Sequence, residues 1–160
     1  MWIWKSRCSN KLKVFSWLLF MDRLNTRNLL RRKNLNVSVN NYNCVLCRLN
    51  IEETAFHLFF DCQFSKSCWQ TIGLQWTSFL PFFSMLIETR QNNPQQLLFI
   101  EVFMIAAWNI WKQRNNLIFE KKQPSISSWK RQFIEDASLQ AHRLKSDKRA
   151  PFLAWIDSFH

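Results

Sequence analysis

Leu12, Phe15, Leu18 and Leu19 recur at helical spacing and give way to Asp22 and Arg23, which predicts a helix with a wide apolar face ending near Asn25. Thr26 then stands as N-cap of a short helix over residues 27–33, with Leu29 and Leu30 turned inward and Arg27, Arg31 and Arg32 in water. Residues 34–43 are rich in Asn and have no helical period, so they read as a loop. Asn50-Ile51-Glu52-Glu53 reads as a capping box, with Glu53 reaching back to the Asn50 backbone, and opens a helix that carries Phe56 to Phe60 and stops near Cys62. A further helix over residues 64–72 ends at Gly73, which suits the left-handed position after a helix.

Pro81 opens a helix to about Thr89, and the polar residues 90–94 form the best internal linker. From residue 95 to about 120 apolar side chains cover most of the circumference at first and one face later, which describes a long helix that Pro124 ends. Residues 125–145 repeat the pattern at Ile126, Trp129, Phe133, Ala137 and Leu144, and residues 152–159 form a last turn or two after Pro151. The expected fold class is mainly α, with six to eight helices and little or no sheet. A small helical domain over 1–75 holds the loop that carries Cys44 and Cys47, and long helices follow over 76–160.

Composition narrows the function. One glycine in 160 residues is too few for a phosphate-cradling loop, so dinucleotide-binding and P-loop enzymes are excluded. The net charge of +11 is unevenly placed: residues 1–33 carry +8, residues 34–80 carry −1 and residues 81–160 carry +4. A basic surface of this kind attracts polyanions, nucleic acid first. The apolar run 14–21 is far short of the ~20 residues a membrane span needs. No small-residue cleavage site follows it, and the stretch 97–111 is interrupted by Glu101 and Asn109. Neither a signal peptide nor a membrane span is expected, and the location expected is intracellular, in nucleus or cytoplasm.

One constellation carries chemistry: Cys44-x2-Cys47-x9-His57-x4-Cys62. Three thiolates and one imidazole form a closed tetrahedral shell for structural Zn²⁺, with no position left for a reactive water. On a continuous α-helix His57 and Cys62 would stand about 140° apart around the axis. They converge only if the helix unwinds near Asp61. Cys68, in an apolar helix, reads as core, and Cys8 has no assigned role.

At these residues the chain resembles a known family. The segments Lys13-Val14-Phe15-Ser16-Trp17-Leu18-Leu19, Leu24-Asn25-Thr26-Arg27-Asn28-Leu29, the Cys44/Cys47 pair, Glu52 through Cys62 and Cys68-Trp69 are similar to the reverse-transcriptase zinc-binding domain of plant non-LTR (LINE-type) retrotransposons. Residues 108–119 look like the segment that follows this domain in the same elements. The resemblance implies that Cys44, Cys47, His57 and Cys62 match the family's metal ligands. The polymerase's Y-x-D-D motif and a ribonuclease H module are absent from the sequence, so the expectation is a non-catalytic fragment of such an element.

The function expected is a zinc-stabilised module that binds RNA or single-stranded DNA. Phosphates would meet Lys11, Lys13, Arg27, Arg31, Arg32 and Lys33, and a base would stack on Tyr42. The alternatives are a module that packs on polymerase or ribonuclease H domains, or a non-functional remnant of the element. No membrane partner and no small-molecule substrate are expected. Trp17, Trp69, Trp108 and Trp111 read as core; Trp2 and Trp4 are the better candidates for exposure.

Overall fold

The first half of the longest helix, α6 (Phe99–Glu120), is buried on every face: Phe103, Met104, Ile105, Ala106, Ala107 and Ile110 are all sealed from solvent. A stretch apolar all round must become the centre of the fold. The computed structural model describes residues 1–35, 41–77, 79–93 and 98–160. Against α6 pack α2 (Asn10–Phe20), α4 (Gln63–Thr71) and α7 (Ile126–Ala141), while α1 (Trp2–Lys5) lies on α2 and α8 (Ser146–Asp157) on α7. The short α3 (Arg27–Arg32), the π-helix His57–Asp61 and α5 (Phe82–Asn92) complete the set. The architecture is mainly helical, with no strand and one isolated antiparallel bridge, Asn43 with Glu52, among the described residues. One core runs through both halves of the chain, from Ile3 to Ile156.

At its centre Phe60, Trp69 and Phe103 stack almost parallel, with ring centroids 5.6–6.4 Å apart and planes within 6°. Trp76 meets all three edge-on. Such aromatic pairs stabilise by about 0.5–1.5 kcal/mol beyond the area they bury. They fasten the π-helix and α4 to α6. Trp69 is wholly buried, Trp17, Trp108 and Trp111 are half-buried against the core, and Trp2 and Trp4 are exposed, as expected from the sequence.

Helix ends account for most departures from the sequence pattern. α2 stops at Phe20 and not near Asn25, because Asp22 takes φ +51° and the amides of Asp22 and Arg23 turn back to the carbonyls of Leu19 and Leu18. Asn34 (φ +55°) closes α3 in the same way onto Arg31 and Leu30, and Gly73 (φ +76°) closes α4 onto Gln70 and Trp69, as predicted. Short polar Asp and Asn side chains tolerate the left-handed conformation, and Lys121 (φ +57°) ends α6 in it too, so a chain with one glycine closes four helices this way among the described residues. Thr26 caps α3 by accepting from the Leu29 amide at 3.2 Å, and Ser125 caps α7 through the Ser128 amide at 3.1 Å.

Two boundaries differ further along. α7 ends at Ala141, short of 145, and α8 starts at Ser146, with Pro151 inside it and not before it. Arg149 explains the junction: its guanidinium donates to the carbonyls of Ala141, His142 and Leu144, satisfying the end of α7 and anchoring the start of α8. α5 continues through residues 90–92 of the expected linker. Pro94, the expected helix start at 95–97 and residues 36–40 of the expected loop lie outside the described residues. No helix among the described residues is long and apolar enough to cross a membrane.

Candidate metal centre

The two halves of the cysteine cluster are positioned by different local structures. Around Cys44 the backbone doubles back: its amide donates to the Ile51 carbonyl at 2.8 Å, and the Glu53 amide to the Tyr42 carbonyl at 2.8 Å. The turn between them carries Cys47 and is closed by Asn50 at φ +54°. Asn50 is therefore left-handed, residues 51–53 run antiparallel to 42–44, and 50–53 form no capping box. The helix begins instead after Thr54, whose hydroxyl oxygen accepts from the His57 amide at 3.0 Å.

Glu53 points away from Asn50. Its carboxylate, fully buried, accepts from the Arg27 amide at 3.0 Å and from Arg114 twice, at 2.7 Å to Nη2 and 3.3 Å to Nε. A bidentate Arg pair and a helix N-terminus are what a buried carboxylate needs. This latch between the cysteine turn, α3 and α6 was absent from the sequence reading, since nothing in residues 50–53 marks a partner 61 positions away.

His57 and Cys62 meet by the unwinding that the spacing requires. From His57 to Asp61 the helix widens to a π-turn, with the Cys62 amide bonded to the His57 carbonyl at 2.7 Å, and the backbone becomes extended at Cys62 (φ −60°, ψ 133°). An i→i+5 turn brings residues five apart onto one face, which an α-helix does not. The turn leaves carbonyls without helical partners. Ser65 donates to the Leu58 carbonyl and the Trp69 indole N–H to the Phe59 carbonyl at 2.6 Å, so α4 seals the break.

The result is a four-atom cluster. The ligand atoms of Cys44, Cys47, His57 and Cys62 all lie within 4.8 Å of one another. Cys44 and Cys62 Sγ are 3.9 Å apart, and Cys47 Sγ is 3.3 Å from His57 Nε2. Tetrahedral Zn²⁺ with Zn–S bonds near 2.3 Å has S···S edges of about 3.8 Å. The donor set and its spacing fit a structural zinc ion. On the far side of the ring, buried His57 Nδ1 has no hydrogen bond among the described residues and stands 3.9 Å from Asp61 Oδ2, the carboxylate that would orient the imidazole.

Electrostatics point the same way. Cys62 is pulled down to about 6, chiefly by the hydrogen bond from Cys44, with the amides of Ser65 and Phe64 at the start of α4 helping and burial opposing. Cys44 is pushed up by that same bond and by burial. Two sulfurs this close hold one proton between them unless a cation takes its place. Cys8 and Cys68 lie elsewhere in the core and are both raised by burial, Cys8 to about 12 from an ordinary 9.0. A thiol whose folded value is raised confers stability that is intact below the unfolded value and is lost as pH rises toward the folded one. Unfolding free energy is therefore expected to fall above pH 9, and Cys8→Ala to reduce that fall by about 1.4 kcal/mol per pH unit between 9 and 11 in urea titrations. Identical slopes would refute it.

The basic residues singled out from sequence divide between two places. Lys11 holds its ammonium 4.6 Å over the Trp108 ring, and Lys13 lies beside Lys5, Arg7 and Arg143 around a pocket at the start of α2. On α3, Arg27 Nη1 donates to the Asn43 and Asn41 carbonyls at 3.0 and 3.3 Å and so fastens the cysteine turn. Arg31 pairs with Glu52 at 2.6 Å and lies over the Tyr42 ring, and Arg32 pairs with Asp22 at 2.6 Å. Lys33 is exposed.

Comparison with known families agrees with this geometry. Residues 1–69, which contain all four candidate ligands, match the family described as zinc-binding in reverse transcriptase, and this supports a reverse-transcriptase zinc-binding domain in that segment. No curated protein and no solved structure matches the chain.

Proposed function

We propose that the protein is a non-catalytic, zinc-stabilised module that binds single-stranded nucleic acid, derived from a retrotransposon of the plant LINE type. The observation that carries this reading is the coincidence of the family match with the charge: residues 1–33, inside the matched segment, hold nine cations against Asp22 alone. Zinc supplies folding energy and leaves the surface basic, because three thiolates and one Zn²⁺ add a single negative charge to a chain of +11. The five cysteines, all unpaired, suit a reducing intracellular compartment in which thiolates remain available to metal.

The test is a salt titration of binding to a fluorescent single-stranded RNA. Affinity is expected to fall with a log–log slope of several charges, at about 0.7 per phosphate contacted. Reversing Arg31, Arg32 and Lys33 to Glu is expected to flatten it. Arg27 is left intact because its loss would loosen the cysteine turn. Absence of binding at low salt would end this reading.

A further inference from the structure

Between the cysteine turn and the last turns of α6 lies an open cleft of about 820 Å³, floored by Trp111 and Arg114. Its charge is one-sided. No carboxylate lines it, and the acids nearest its walls in sequence are each ion-paired: Glu52 with Arg31, Glu53 with Arg114 and Glu120 with Lys122. The side chains of Arg27 and Lys121, which both line it, hydrogen-bond to neutral carbonyls, those of Asn41 and Asn43 and that of Ile118, and neither forms an ion pair among the described residues. Their charges are uncompensated among the described residues.

The polar lining is equally specific. Five asparagines face the cleft. Asn41 Oδ1 accepts from the Asn43 amide and Asn115 Oδ1 from Arg114, whereas the side-chain amides of Asn25, Asn43 and Asn50 have no internal partner among the described residues. Each carboxamide presents a donor and an acceptor side by side, the pattern that matches a nucleobase edge. At the mouth stands Phe119, 74% exposed on the last turn of α6 and without a ring partner among the described residues. An exposed ring beside cations and amides is a platform on which a base can stack.

We propose that this cleft receives unstacked bases of single-stranded nucleic acid, one on Phe119 and others edge-on to the asparagine amides, with phosphates along Arg27 and Lys121. The inference rests on the nucleic-acid reading above and assigns the bases to a surface other than the outer face of α3 and Tyr42. Paired bases keep their faces stacked and their edges joined, so a duplex does not fit. The cavity lies in the range of roughly 300–1,000 Å³ that holds a ligand of one or two nucleotides' size. Because Asn43, Cys44 and Asn50 of the cysteine turn form one wall, the cleft has its shape only while the turn is held.

The test uses the full zinc-loaded chain with fluorescent ten-nucleotide oligo-rU and oligo-dT, followed by photocrosslinking of the 5-iodouracil versions and peptide mapping. Phe119→Ala is expected to weaken binding about fivefold or more with the salt slope unchanged, since stacking releases no counterions. Phe119→Trp is expected to retain affinity, Lys121→Glu to lower the slope, and the crosslink to fall in the peptide containing Phe119. The two oligonucleotides separate RNA from DNA as the source of the bases. Unchanged affinity of Phe119→Ala with crosslinks mapping elsewhere would overturn the cleft and leave the nucleic-acid reading standing. Absence of binding to both oligonucleotides at low salt would overturn the two together.

Discussion

Arg114→Met is expected to destabilise the protein by about 3–5 kcal/mol, because it leaves the Glu53 carboxylate buried with its charge unpaired. Glu53→Gln keeps an acceptor for the Arg27 amide but strands Arg114, which is only 4% exposed, and a loss of similar size is expected. The double variant Glu53→Gln/Arg114→Met is expected to recover at least half of the summed loss, since neither partner is then left charged and alone. Urea unfolding at fixed pH and saturating zinc measures all three. Single losses below about 1 kcal/mol would mean that the pair is not desolvated as described.

Removal of zinc is expected to have the other large effect. Structural zinc contributes about 10–16 kcal/mol of apparent binding energy in small modules near neutral pH. Here the loss is graded. The Phe60–Trp69–Phe103 stack still holds α4 to α6, whereas the cysteine turn and the π-turn, whose four candidate ligand atoms lie within 4.8 Å of one another, would lose the ion that links them. A strong chelator is expected to lower the melting midpoint by about 10 °C or more, on a scale of about 2–4 °C per kcal/mol for a chain of this size. Amide exchange is expected to accelerate first in residues 41–62. Unchanged exchange there would show that the turn is held without metal.

The helical plan and the Cys44/Cys47/His57/Cys62 cluster were legible in the sequence because each rests on local chemistry. Thr26 and Ser125 cap because their hydroxyls sit one residue before an apolar helical period, and Gly73 closes α4 because left-handed backbone suits it best. The convergence of His57 and Cys62 required an unwound turn on geometric grounds alone, and the π-turn supplies it. Where reading failed, a distant partner decided the outcome. Glu53 had the spacing of a capping residue, but Arg114 offered a buried carboxylate far more than an Asn50 amide in water could, and the chain at 51–53 pairs with 42–44 and does not open a helix. Pro151 had the look of a helix stop, and Arg149, by holding the carbonyls of the preceding helix, fixes a start ahead of it. Arg27, Arg31 and Arg32 read alike in sequence, yet one braces the cysteine turn and two face carboxylates. Such pairings link residues 10 to 21 positions apart and leave no periodic trace.

Metal content of the purified chain is the most direct test. The account predicts one zinc per chain for the wild type and for Cys8→Ala, and almost none for Cys62→Ser, whose sulfur stands 3.9 Å from that of Cys44 and has no substitute within the cluster. Zinc content unchanged by Cys62→Ser would contradict it.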